Sequence, residues 1–137
     1  ELLSHEMVRS IKDVYRDREF DLVTCVPMHK DTLRKRGYNQ AELLAKECAR
    51  ILGIEYADLL VKTKKNKTQH SIKAAERAKN VIGVYSPIDK NLIKGKRILI
   101  IDDIITTGST LGECARILNK CKCGEICCCT LCTSLLI

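Results

Sequence analysis

The chain has 137 residues, which predicts a single domain over 1–137 with enough length for one hydrophobic core. Its formal net charge of +7 favours an anionic partner, either a nucleic acid or a polyphosphate metabolite, although a solvated basic surface also explains the charge. Apolar runs stay shorter than the roughly 18 residues that cross a bilayer, and the first residues resemble a mixed-charge helix rather than a signal peptide. We therefore predict no membrane insertion and a cytoplasmic location.

The first half of the chain predicts two amphipathic helices on either side of a short strand. The first helix covers 1–18, with apolar residues at helical spacing: Leu3, Met7, Ile11, Val14 and Tyr15. The apolar run 20–27 (FDLVTCVP) predicts the strand, and the polar, basic stretch 28–40 is predicted to be a loop. The second helix covers 41–52, ends at Gly53, and turns the following residues inward: Ala41, Leu44, Cys48, Ile51 and Leu52.

The middle of the chain has weaker signals. Residues 57–63 (ADLLVKT) predict a second strand, and 81–86 (VIGVYS) predict a short edge strand. Between them, 62–80 is strongly basic with almost no large apolar residues. That composition predicts a mobile loop or a solvated helix.

The last third predicts the centre of the sheet. The continuous aliphatic residues of 94–102 (KGKRILIID) are typical of a parallel strand buried on both faces. A helix over 109–120 follows, with these residues turned inward: Leu111, Cys114, Ala115 and Leu118. A buried strand over 125–137 closes the sheet. Strands that alternate with helices predict an α/β fold, a mainly parallel twisted sheet flanked by helices.

Six of the nine cysteines lie within 121–132. Neighbouring cysteines on a strand point to opposite faces, so we expect reduced thiols that pack as small hydrophobic side chains. A metal site is the second interpretation, because Cys129 and Cys132 form a C-x-x-C pair near Cys121 and Cys123, but the usual zinc spacing is missing. Redox chemistry is the third.

The segment 98–110 (ILIIDDIITTGST) combines two carboxylates with a run of hydroxyls around a glycine. In a parallel sheet, ligands bind beyond the carboxyl ends of the strands, and Asp102 and Asp103 reach that end. The loop that follows combines backbone N–H groups, four hydroxyls and a helix N-terminus, which suits a phosphate. Its residues are Thr106, Thr107, Gly108, Ser109 and Thr110.

The two carboxylates require a different chemical group, either hydroxyls or a hydrated divalent cation. A sugar phosphate satisfies both halves of the segment, with its phosphate in the loop and its diol against the aspartates. A Walker B element is the main rival, but the sequence has no G-x-x-x-x-G-K-[ST] motif. Helix capping by the hydroxyls explains single residues but not the whole arrangement.

These thirteen residues resemble the PRPP-binding signature of type I phosphoribosyltransferases. Together with VPMHKDTLRKRGYNQAELLAK (26–46) and ERAKNVIGVY (76–85), they make the chain similar to the ComF family over about 20–133. The resemblance implies the type I phosphoribosyltransferase fold, with the substrate-selecting hood absent or minimal. It further implies a phosphoribosyl transfer from PRPP to an acceptor that the sequence does not identify. It also implies Mg²⁺ as the cofactor.

The resemblance assigns roles to several groups of residues. Asp102 and Asp103 are expected to face the ribose hydroxyls and the Mg²⁺, through bound water, and to be catalytic. The 5′-phosphate and pyrophosphate sites are expected to include Ile105, the hydroxyl loop 106–110, and four residues after the first strand: Val26, Pro27, Met28 and His29. Residues 62–79 match the flexible loop that covers such sites.

Pyrophosphate must leave with its charge stabilised, so Arg34 and Arg36 are predicted to be catalytic as well. His29 is expected to be a hydrogen-bonding scaffold residue, with proton acceptor as the alternative. Three functions remain open: a phosphoribosyltransferase, a PRPP-binding or DNA-uptake protein without turnover, and a nucleic-acid binder that uses 62–79. Partners are accordingly PRPP, single-stranded DNA or the competence machinery, and a second copy of the chain.

Overall fold

The computed structural model describes residues 2–63, 83–105 and 108–133, with the backbone alone at 105, 132 and 133. Its helices are α1 (Leu2–Val14), α2 (Lys30–Arg36), α3 (Gln40–Leu52), α4 (Lys90–Ile93) and α5 (Ser109–Lys120). Its strands are β1 (Leu22–Cys25), β2 (Glu55–Tyr56), β3 (Leu60–Lys62), β4 (Tyr85–Pro87), β5 (Arg97–Ile105) and β6 (Glu125–Thr133). No helix in these ranges is long and apolar enough to cross a membrane.

The central sheet contains four parallel strands in the order β2-β1-β5-β6. The chain moves outward from β1 to β2 and then returns to β5 on the other side of β1. The strand order therefore reverses between β1 and β5, which is where open parallel sheets bind their ligands. In register, Cys25 at the end of β1 lies beside Ile101, so β5 continues four residues further than β1.

Both faces of β5 are buried, as its continuous aliphatic residues predict. Ile98 and Ile100 pack on one face with residues of α5, and Leu99 and Ile101 pack on the other with residues of α1 and α3. All four aliphatic side chains are fully buried. The predicted α/β architecture is confirmed, with one apolar layer on each side of a parallel sheet.

Two predicted strands belong to a separate ribbon and not to the central sheet. Residues 57–63 do not form its second strand; Glu55–Tyr56 do, and Ala57 makes the last bond by donating to the carbonyl of Val23 at 3.0 Å. The chain then leaves the sheet, because Leu59 and Leu60 turn into the core. β3 pairs antiparallel with β4. β4 begins inside the predicted edge strand 81–86 and ends one residue after it.

The predicted loop 28–40 contains a helix, α2, that apolar spacing could not reveal. None of its residues is buried, so local capping stabilises it: His29 caps its start and Gly37 its end.

The buried faces of α1 and α5 also differ from the prediction. Leu3 and Val14 of α1 are exposed, and in α5 Ile117 is buried whereas Ala115 is half-buried.

Most of the described cysteine thiols pack against apolar neighbours, as predicted. Cys25, Cys48 and Cys114 are buried in the core, and burial raises the pKa of the Cys48 thiol to about 11. The last strand is less buried than predicted: Cys128 and Cys129 are half-buried because β6 lies at the edge of the sheet. Within the described ranges, no three His, Cys, Asp or Glu side chains are grouped closely enough to hold a metal ion.

Candidate functional site at the carboxyl ends of β1 and β5

The two predicted aspartates lie where β5 extends past β1. The backbone N–H of Val26 donates to the carbonyl of Ile101 at 3.1 Å, so the chain after β1 stays beside β5 up to this point. Asp102 and Asp103 come next on β5. The structure therefore places this carboxylate pair directly beside the loop 26–29, at the point where the strand order reverses.

The two carboxylates have different surroundings. Asp102 shares the β5 face of Ile98 and Ile100 and is only 9% exposed, whereas Asp103 is half-buried on the opposite face. The backbone N–H of Asp103 donates to Oδ1 of Asp102 at 2.8 Å. Burial above all, and then the contact with the Asp103 carboxyl, raise the pKa of Asp102 from 3.8 to about 7. Within the described part of the chain, no basic side chain offsets this rise in the pKa of Asp102.

The loop after β1 is fixed at both ends. Val26 is buried, and its carbonyl accepts a hydrogen bond from Nδ2 of Asn39 at 3.3 Å. At the far end, Nδ1 of His29 accepts from the backbone N–H of Asp31 at 3.1 Å, which starts α2. This is a scaffold hydrogen bond of the predicted kind.

A cavity of about 260 Å³ lies beside this loop, and its lining includes Pro27, Met28, Asn39 and Thr24. The hydroxyl of Thr24 is buried and is the one buried side-chain polar atom without a hydrogen-bond partner in the described part of the chain. Pro27 and Met28 are half-buried. The loop and the strand end beneath it therefore leave room for a ligand.

The described part of the hydroxyl loop consists of Gly108, Ser109 and Thr110. Gly108 precedes the first turn of α5 with φ +80°, a conformation that glycine adopts without strain, and it offers no side chain to cap the helix. The Thr110 side chain lies next to that of Tyr85. Thr106 and Thr107 lie outside the described residues, as does the side chain of Ile105.

The two predicted arginines lie on α2 and not on the strand that holds the aspartates. Arg34 and Arg36 lie in the second half of α2, are exposed, and form no ion pair within the described ranges. α2 begins directly after the loop 26–29, so both arginines stand one to two helical turns from it. Of the predicted covering segment 62–79, all but Lys62 and Thr63 lies outside the described residues.

A larger cavity, of about 400 Å³, lies at the opposite end of the strands, beside the start of β5. Two of its arginines are paired with carboxylates: Arg97 donates to both carboxylate oxygens of Asp21, at 3.1 and 3.0 Å, and Arg18 pairs with Glu125. The Arg97 guanidinium holds the pKa of Asp21 down at about 2. That cavity is lined by residues from the other end of the strands and by neither Asp102 nor Asp103, so it is separate from the candidate site.

Two residues with direct contacts to the site were missed in the sequence. Asn39 could have been noticed as an N-cap type residue just before a helix. Tyr85 gave no such signal, because its role depends on a contact with Thr110 that is 25 residues away in the chain.

Comparison with known proteins agrees with this geometry. Residues 39–135 match the phosphoribosyl transferase domain. Competence protein F of Haemophilus influenzae is 33% identical over 129 residues, and the DNA utilization protein YhgH of Escherichia coli is 30% identical over 101. Competence protein ComFC of Streptococcus pneumoniae is 30% identical over 109 residues. The chain therefore belongs to the phosphoribosyl transferase domain family, as a ComF-type member.

These matches cover most of the chain but only part of the relatives. The alignments include 90%, 73% and 80% of this chain, against 56%, 44% and 46% of the three relatives. The chain thus spans about half the length of the curated relatives it matches. Their names describe longer proteins.

Solved structures show the same fold. An allosteric regulatory enzyme of purine biosynthesis aligns with 94% of this chain and 25% of its own, at a TM-score of 0.61 and 21% identity. Adenine phosphoribosyltransferase from Saccharomyces cerevisiae aligns with 97% of this chain and 66% of its own, at a TM-score of 0.61 and 15% identity. At these identities the likeness shows the fold alone.

Proposed function

We propose that this domain binds PRPP at the carboxyl ends of β1 and β5 and transfers its phosphoribosyl group to an acceptor, with release of pyrophosphate. The observation that carries the proposal is the position of Asp102 and Asp103. They form a carboxylate pair at the reversal of strand order, between a loop and a helix N-terminus. Membership of the phosphoribosyl transferase domain family supports it.

In this proposal each part of PRPP has its own binding surface. The ribose hydroxyls donate to Asp102 and Asp103, which have carboxylate oxygens to accept them. The 5′-phosphate binds the loop 105–110, where Gly108 and the first turn of α5 favour an anion. The pyrophosphate binds along the loop 26–29, which leads directly into α2 with Arg34 and Arg36.

The aspartate pair also fits a hydrated Mg²⁺. Hard divalent cations prefer carboxylate oxygens, and no basic side chain among the described residues offsets the raised pKa of Asp102, about 7. Asp102 and Asp103 would hold the ion through its water ligands. When bound, Mg²⁺ supplies positive charge that stabilises the leaving pyrophosphate.

The residues of the chain contribute electrostatics and positioning. As the bond to pyrophosphate breaks, positive charge develops on the ribose ring, and the nearby Asp102 and Asp103 carboxylates stabilise it. Negative charge develops on the pyrophosphate, and Arg34 and Arg36 are proposed to stabilise that charge from α2. The loop 26–29 holds the leaving group in place while the acceptor attacks the anomeric carbon.

The test is calorimetry of PRPP binding in the presence of Mg²⁺. Asp102→Asn combined with Asp103→Asn keeps the side-chain shapes and removes both charges, and we expect PRPP binding to fall below detection with the fold intact. Asp89→Asn is the matched control, because Asp89 caps α4 and asparagine caps a helix equally well. Unchanged affinity in the double variant would remove the assignment of the site.

A second candidate function is PRPP binding without turnover, in a DNA-uptake protein. Its support is the names of the relatives, two called competence proteins and one a DNA utilization protein. Pyrophosphate release measured with a panel of bases, nucleosides and amines separates the two functions. An enzyme releases pyrophosphate with at least one acceptor, whereas a binding protein gains thermal stability from PRPP and releases none. Steep salt dependence of single-stranded DNA binding would favour the DNA role.

A further inference from the structure

Asn39 connects the start of α3 with the loop after β1. Its Oδ1 accepts a hydrogen bond from the backbone N–H of Ala41 at 3.1 Å, which caps α3. Its Nδ2 donates to the carbonyl of Val26 at 3.3 Å and lies 4.0 Å from the Cys25 sulfur. The side chain uses both ends of its amide, and the residue is only 8% exposed.

The helix that holds this amide is firmly packed. Ala41, Leu44, Ala45 and Cys48 of α3 are buried among residues of β1, β5 and α1. A buried helix start moves little relative to the sheet, so its capping residue is a rigid support. Asn39 thereby transmits the position of α3 to the peptide group that follows Val26.

Val26 is consequently held on both sides. Its N–H donates to Ile101 of β5, and its carbonyl accepts from Asn39. The next residues, Pro27 and Met28, therefore begin from a fixed peptide, and they line the cavity beside the strand ends. Loss of the amide donor would free that carbonyl and leave it buried without its partner, which allows the loop to rearrange.

We infer that Asn39 is a positioning residue that holds the loop 26–29 in the shape that recognises pyrophosphate. The inference rests on the proposed function and specifies which part of the ligand depends on this side chain. It concerns the diphosphate end of PRPP alone, because Asn39 contacts the loop after β1 and has no bond to β5 or α5 in the described residues. Ribose 5-phosphate, which lacks the diphosphate, does not require it.

The experiment separates the capping bond from the loop bond. Asn39→Ser keeps an N-cap acceptor of similar strength but does not reach the Val26 carbonyl, whereas Asn39→Ala removes both bonds. Asp89→Ala is the matched control, since it removes an N-cap bond, to Asn91, at a helix away from this loop. Calorimetry with PRPP, ribose 5-phosphate and Mg²⁺–pyrophosphate supplies three affinities for each protein.

We expect Asn39→Ser to lower the affinity for PRPP and pyrophosphate by about tenfold, because a single hydrogen bond is lost. The affinity for ribose 5-phosphate should fall by less than about twofold. Asn39→Ala should also weaken the binding of PRPP and pyrophosphate more than that of ribose 5-phosphate, and it should lower the melting temperature. Asp89→Ala should leave all three affinities unchanged. Parallel losses for all three ligands, or unchanged PRPP affinity in Asn39→Ser, would overturn the inference. Should Asn39→Ser fail to fold, Asn39→Thr replaces it, because threonine also caps a helix and does not reach the Val26 carbonyl.

The wild-type protein separates this inference from the proposed function. If it binds neither PRPP nor ribose 5-phosphate, the proposed function fails, and this inference fails with it. If it binds both, and the Asn39 variants do not lose more affinity for PRPP than for ribose 5-phosphate, the inference alone fails.

Discussion

The side chain of Tyr85 lies next to that of Thr110, where the β3–β4 ribbon meets the first turn of α5. Tyr85 is only 4% exposed, and burial raises the pKa of its hydroxyl, so that hydroxyl stays protonated at neutral pH. Thr110 is also one of the hydroxyl residues proposed to surround the 5′-phosphate. The same side chain therefore belongs to the packing of the ribbon and to the candidate phosphate site.

This relationship makes Tyr85→Phe an informative substitution. We expect a loss of about 1 kcal/mol in the free energy of unfolding, because the buried hydroxyl and its polar contact with Thr110 disappear while the ring still packs. Ribose 5-phosphate affinity should fall as well, since the Thr110 hydroxyl loses its polar neighbour. Chemical denaturation and calorimetry measure the two effects. Tyr38→Phe, at a half-exposed tyrosine, is the control and should change neither; equal losses there would contradict the specific role of Tyr85.

Asp102 should make the free protein less stable as the pH rises. The pKa of its carboxyl is about 7 in the folded protein and 3.8 as its ordinary value, so between these values the folded state binds more protons than the unfolded state. The free energy of unfolding then falls from about pH 4 to about pH 7 and becomes level above. Asp102→Asn removes this contribution.

Denaturation of both proteins in a chelating buffer without ligand, from pH 4 to pH 8, measures the effect. Other groups titrate in the same range, so the difference between the wild-type and Asp102→Asn profiles is the relevant quantity. We expect that difference to favour the variant increasingly up to about pH 7. Parallel profiles would show that Asp102 has an ordinary pKa.

The sequence predicted the parts of this fold that follow from hydrophobic periodicity. The strand 94–102 has four consecutive aliphatic residues, and both its burial and its parallel pairing could be inferred from them. Asp102 and Asp103 could then be placed at the ligand end of the sheet, because the direction of a parallel strand determines at which end the residues after its aliphatic run lie; β5 itself continues to Ile105. The alternation of elements was sufficient for the α/β class.

Other features depended on contacts that periodicity does not encode. The helix α2 buries none of its residues and is stabilised by its caps, so its stretch resembled a loop. The strand 57–63 had the right residue types, but pairing with β4 and not with β1 placed it in a second sheet. Asn39 matters because its amide meets the Val26 carbonyl, a contact between residues 13 positions apart.

The buried thiols should resist alkylation in the folded protein. Burial raises the pKa of the Cys25 and Cys114 thiols to about 12, so at pH 8 almost none of either is in the reactive thiolate form. Iodoacetamide labelling followed by mass spectrometry of peptides should find both unmodified in the native protein and modified after denaturation. Cys123, which is only half-buried, should react first among these three. Rapid native labelling of Cys25 would contradict the packing interpretation.

Gly108 should be sensitive to the smallest side chain, because its φ of +80° lies in the left-handed region. Alanine in that conformation costs roughly 1 kcal/mol, and the turn before α5 must keep this shape if its first backbone groups are to face a phosphate. We therefore expect Gly108→Ala to lower the free energy of unfolding by about 1 kcal/mol and to weaken ribose 5-phosphate more than that strain alone explains.

Gly112 provides the matched control within the same helix. It is an interior position of α5 with nothing within 4 Å of an added Cβ, so alanine there should stabilise the protein by about 0.5–1 kcal/mol and leave ligand affinity unchanged. Chemical denaturation and calorimetry on both variants give the comparison. Opposite signs in stability, with affinity lost at Gly108 alone, are the expected result. If Gly108→Ala lost stability but bound ribose 5-phosphate normally, the turn would be structural and the phosphate would have to bind elsewhere.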